Sequence, residues 1–68
     1  MTSMDNKIVE FRARGLSRNT AAVAVKQGRF QVQLVGYKPS GISVVVPVTE
    51  WIGKNEAYDI RDAVRGTL

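Results

Sequence analysis

Arg29, Gln31 and Gln33 stand at every second position, interleaved with Phe30, Val32 and Leu34. In an extended strand this spacing puts a guanidinium and two amides on one face and three apolar side chains on the other. The chemistry open to such a polar face is hydrogen-bond recognition. Arginine pairs bidentately with guanine and glutamine with adenine, each pairing giving about 1–3 kcal/mol of discrimination. Lys26 lies across the intervening Gly28, while Lys38 and the group Arg12, Arg14 and Arg18 supply charges suited to phosphates, which position a protein without specifying sequence. The plainer alternative is the solvated side of a half-exposed antiparallel sheet, where alternating polar residues are ordinary.

Bond-making chemistry finds little to work with. The chain has no histidine and no cysteine, which removes the usual general base near neutral pH, the commonest metal ligand and any thiolate site. Ser17, Ser40 and Ser43 therefore have no imidazole to activate them. Asp59 and Asp62, three apart and beside Arg61 and Arg65, read as helix-surface pairing partners. Gly36 and Gly41 lack the spacing and the lysine of a phosphate-binding loop. Trp51 and Tyr58 read as core anchors. The expectation is a binding protein, not an enzyme, with no catalytic residue, no metal and no cofactor.

Charge gives that binding a direction. Of the 68 residues, 1–38 carry seven Lys or Arg against two acids, and 39–68 carry three against four, so a front half of +5 precedes a back half of −1. A one-sided positive field suits a polyanion such as nucleic acid; a net +4 also serves simple solubility. No stretch reads as a signal peptide or a membrane span: the opening residues are polar, and the longest apolar run, Ile42 to Val48, is broken by Ser43 and Pro47. The chain reads as cytoplasmic.

The elements that would position these residues follow from periodicity. Met4, Ile8 and Phe11 share one helical face, with Ser3 or Asp5 as cap and Gly15 as stop, so residues 1–20 read as a short helix or a basic arm. Ala21 to Tyr37 reads as a hairpin turning at Gly28. Ile42 to Val48 is rich in β-branched residues and apolar on both faces, with Pro47 pointing to an edge position or a strand end. Residues 55–65 read as a helix, capped by Asn55, with acids in its first turn, an apolar face of Ala57, Ile60, Ala63 and Val64, and Gly66 closing it. The domain expected is α+β: a three-stranded antiparallel meander (residues 21–48) packed on a C-terminal helix, preceded by a short N-terminal helix or basic arm. A helix-turn-helix starting at Ser17 is the rival, but its second helix would fall on Arg29 to Tyr37, whose strict alternation opposes it.

The run Gly28-Arg29-Phe30-Gln31-Val32-Gln33-Leu34, with Glu56-Ala57-Tyr58-Asp59 and then Ala63, Arg65 and Gly66, resembles the DNA-binding domain of plant ethylene-response factors. It is also similar to the arm-site-binding domains of phage tyrosine integrases. The likeness spans Ala21 to Gly66 and implies that the sheet face opposite the helix enters the major groove of DNA. Two departures stand out: the first strand has Ala22 to Val25 and Lys26 where those families are arginine-rich, and Val46-Pro47 replaces an aromatic-glycine step. The helix, three strands, helix order also resembles double-stranded-RNA-binding domains. The expected function is thus a small DNA-binding protein of phage or plasmid type, a regulator or recombination accessory factor. The alternatives are a protein-binding module or small enzyme inhibitor, or a homodimer, acting through the apolar edge of Ile42, Val44, Val45 and Val46, and a double-stranded RNA binder.

Overall fold

The structure is a computed structural model that describes residues 3–68. Helix α1 (Ser3–Arg12) leads into strands β1 (Ser17–Lys26), β2 (Arg29–Tyr37) and β3 (Ser43–Pro47), and helix α2 (Lys54–Thr67) follows. The strands form one antiparallel sheet in the order β1-β2-β3. The expected α+β architecture, a β-meander with a helix at either end, is the one observed. Among the described residues no helix is long and apolar enough to cross a membrane.

Each element follows from its residues. Gln27 and Gly28 both have positive φ (51° and 73°), the combination that a two-residue hairpin turn needs to match strand twist. That turn sets Lys26 opposite Arg29 and fixes the remaining register, Val25 to Phe30, Val23 to Val32 and Ala21 to Leu34. Directly opposed residues share a face, so Ala21, Val23, Phe30, Val32, Leu34, Val44 and Val46 all turn to one side. Both helices pack there. Ile8 and Phe11 of α1 and Ala57 and Val64 of α2 join Ala21, Val32 and Leu34 in a single buried cluster. Among the described residues, the opposite face of the sheet carries no layer.

A bulge shapes the far end of the sheet. Ser17 pairs with Tyr37 and Thr20 with Val35, so Arg18 and Asn19 stand opposite Gly36 alone; Arg18 takes a φ of 53°, the left-handed conformation common in bulges. Asn19 folds over Gly36, where an added Cβ would sit 2.7 Å from Asn19 Oδ1 and 3.0 Å from both Leu16 Cβ and Phe11 Cζ. Only glycine fits under this roof.

One carbonyl on each sheet edge is covered by a side chain. Lys38 N–H donates to Ile42 C=O and Val48 N–H to Val32 C=O, so even-numbered β2 residues bond to β3, whose Ser43, Val45 and Pro47 turn their backbone outward. The missing N–H of Pro47 thus costs no ladder bond, and its C=O accepts from Lys7 Nζ at 3.3 Å. By the same alternation, β1 turns Ala21, Val23 and Val25 outward, and Ala21 C=O accepts from Arg65 Nε at 3.0 Å.

Four boundaries differ from expectation. Helix α1 ends at Arg12, ahead of the stop expected at Gly15. Residues 17–20, assigned above to the helix or arm, belong to β1, and Arg29–Tyr37 is a strand, which removes the helix-turn-helix alternative. The N-cap of α2 is Gly53 in extended conformation (φ −72°, ψ 158°), not Asn55, and the helix runs through Gly66 to Thr67. The reason lies upstream: Phe30 and Ile52 exchange N–H···O=C bonds of 2.9 and 2.7 Å, so the chain is held in sheet geometry until Ile52 and turns helical at once after Gly53.

Candidate nucleic-acid interface

The bare face of the sheet is built from alternate residues. From β2 come Arg29, Gln31, Gln33, Val35 and Tyr37; opposite them lie Lys26, Ala24, Ala22 and Thr20 of β1 and Pro47, Val45 and Ser43 of β3. Ala22 and Ala24 are short, so the two glutamines rise beside a shallow alanine floor. The side chains foreseen as outward-facing, Arg29, Gln31 and Gln33, do share this face with Lys26.

The glutamines are held, not free. Gln31 Nε2 donates to Thr49 C=O at 3.0 Å, and Gln33 Nε2 donates to Gln31 Oε1 at 3.0 Å. This relay leaves Gln33 its carbonyl oxygen and a second amide hydrogen, the pair that an adenine edge requires. Thr49 anchors the relay: its hydroxyl accepts from Val32 N–H at 3.1 Å and donates to Glu50 C=O at 2.7 Å.

Cations gather at the two ends of the sheet. Lys26 and Arg29 flank the hairpin turn. Three residues, Thr49, Glu50 and Trp51, stand opposite Gln31 alone, because Val48 and Ile52 bond to Val32 and Phe30 on either side. This bulge pushes Trp51 out beside the two cations, and Arg29 Nη1 reaches Trp51 C=O at 3.5 Å. Lys26, Gln27, Arg29 and Trp51 line a concavity of about 290 Å³. Trp51 and Ile52 are both half-buried, and Ile52 packs against the core cluster. Tyr58 is also half-buried, tilted against Phe30 with ring centroids 6.4 Å apart and covered by the Arg61 guanidinium at 4.6 Å.

At the other end, Arg18 and Lys38 border a second concavity of about 360 Å³ with Ser17, Tyr37, Pro39 and Gly41. Ser17 Oγ donates to Tyr37 C=O at 3.2 Å and holds the strand end closed. The group Arg12, Arg14 and Arg18 is divided by the fold. Arg12 sits in the helix layer, its Nη1 3.5 Å from Thr67 C=O, and Arg14 lies in the turn after α1; only Arg18 reaches the sheet end. Of the edge residues, Ile42 and Val45 are exposed (61% and 48%), while Val44 and Val46 pack against the core. Sequence reasoning missed the part played by Thr49 and the place of Trp51; both depend on the bulge. No family model, curated protein or solved structure matches the chain.

Proposed function

We propose that this chain binds duplex DNA by laying its bare sheet face across the major groove. The observation that carries the reading is a hydrogen-bonded glutamine pair at the centre of that face, with Lys26 and Arg29 at the hairpin end and Arg18 and Lys38 bordering the concavity at the other end of the sheet. Eight residue steps from Arg18 to Lys26 span roughly 25 Å at strand rise. That length is about twice the roughly 12 Å width of the major groove, so in this reading the cations at either end lie beyond its rims, over the flanking phosphates. Gln33 is the side chain best placed to read a base edge, and the Ala22 and Ala24 floor leaves room for it.

The test is a titration of labelled duplex at several salt concentrations. Four phosphate contacts give a slope of log K against log salt of about −3.6. Gln31→Ala with Gln33→Ala weakens binding to the preferred sequence more than to random DNA. An equal loss on both, or binding indifferent to salt, refutes the groove reading. A second reading, strand addition by a protein partner at the β3 edge, is favoured by the exposure of Ile42 and Val45. It predicts a stable protein complex together with weak, sequence-blind affinity for DNA.

A further inference from the structure

We infer that the concavity at the hairpin end is a pocket for one unpaired nucleotide of a DNA strand, its base on the Trp51 indole and its phosphate between Lys26 and Arg29. The inference rests on the DNA-binding reading above and adds a strand end, gap or overhang as the preferred substrate.

Three features meet at this place. The space, about 290 Å³, is at the small end of ligand-pocket sizes and suits a single nucleotide unit. Its lining combines one aromatic plane with two cations, and neither Lys26 nor Arg29 lies within ion-pair reach of an acid among the described residues. Arg29 Nη1 reaches the Trp51 backbone carbonyl at 3.5 Å, which ties the guanidinium to the segment that carries the indole. The third feature is the way Trp51 is presented. An indole serving the core would sit in the helix layer, as Phe11 does. Here Trp51 ends a three-residue bulge and lines the concavity with Lys26 and Arg29, while Ile52 packs against the core. Aromatic stacking accepts any base, since each has a π face, and contributes about 1–3 kcal/mol per base. A paired base inside a duplex offers no free face, so this pocket distinguishes unpaired from paired nucleotides without reading sequence.

Trp51 is the only tryptophan in the chain, so its fluorescence reports from inside the pocket. The experiment compares a blunt duplex with the same duplex carrying a short single-stranded overhang, following DNA anisotropy and Trp51 emission together. The expected result is tighter binding of the overhang, by roughly 5- to 150-fold for one stacked base, with quenching of Trp51. Trp51→Leu, which keeps apolar bulk and loses the π face, removes the advantage of the overhang over the blunt duplex measured with the same variant; Trp51→Phe retains most of it. Circular dichroism confirms that each variant is folded. Equal affinity for the two duplexes, or an advantage that survives Trp51→Leu, overturns the pocket. The two readings fail separately: blunt-duplex binding without an overhang advantage keeps the groove face and rejects the pocket, whereas quenching by the overhang with no blunt-duplex binding does the reverse.

Discussion

Gly36→Ala tests whether the junction of α1 with the β1 bulge is as tight as the geometry states. The new methyl would meet an amide oxygen at 2.7 Å and two carbons at 3.0 Å, all inside ordinary contact distance. Phe11 cannot retreat, being 1% exposed within the core, and Leu16 is fixed by its own backbone. Overpacking of this kind costs about 1–3 kcal/mol. Alanine recovers about 0.5–1 kcal/mol by restricting the unfolded chain, so the net loss centres on about 1 kcal/mol and reaches about 2 kcal/mol. That is a large share of the roughly 3–10 kcal/mol expected for a domain of this size. With a urea m-value of about 1 kcal/mol/M for a small protein, the midpoint falls by about 1–2 M, read by Trp51 fluorescence and circular dichroism in parallel. Asn19 supplies the control. Its Oδ1 is buried with no hydrogen-bond partner among the described residues, and it is the one neighbour able to yield. Asn19→Ala alone should be neutral or stabilising, and combined with Gly36→Ala it should restore about 1 kcal/mol through a measurable coupling. Wild-type stability in Gly36→Ala, with no coupling to position 19, would refute the argument.

Three further outcomes follow from the same geometry. Thr49→Val removes the acceptor for the buried Val32 N–H and should cost about 1–3 kcal/mol, with faster amide exchange at Val32 as the specific readout. Arg65→Ala uncovers the Ala21 carbonyl on the outer edge of β1; sedimentation should show self-association rising with concentration, since an open edge is a template for pairing. Arg18→Ala with Lys38→Ala should flatten the salt slope of DNA binding by about 1.8 and weaken all sequences alike.

The strand that carries the candidate site was legible because its pattern is binary: one period-two run, Arg29 to Leu34, determined both the buried and the bare face. The first strand was half legible. Its apolar part from Ala21 onward announced itself, but Ser17 to Thr20 is polar and rich in turn formers, and only pairing with Tyr37 across the bulge makes it a strand. Asn55 is a good cap by residue type, yet cap preference is local, and the Phe30–Ile52 bridge decides where the helix begins. Gly66 shows the same limit at the other end: it signals a stop only where the chain turns left-handed, and here the helix continues for another residue. Arg12, Arg14 and Arg18 form a cluster along the sequence, but a helix end, a turn and a bulge send them to different sides. The position of Trp51 needed knowledge of which residues flank Gln31 across the ladder, a tertiary fact with no trace in spacing.

The two-residue hairpin turn also orders events in time. Closing a loop this short carries a small entropic cost, and hairpins form in about 1–10 μs, so β1 and β2 can align before α1 finds its place. Every base-reading and stacking residue proposed above lies on this hairpin or on the segment bonded to it. α1, by contrast, is a ten-residue terminal helix tied to the core through Met4, Ile8 and Phe11, and a short terminal element of this kind can open without global unfolding. Hydrogen exchange should therefore find α1 amides opening well before those of β2. The recognition surface would then persist through excursions that expose the core beneath it, which separates the durability of binding from the durability of the whole fold.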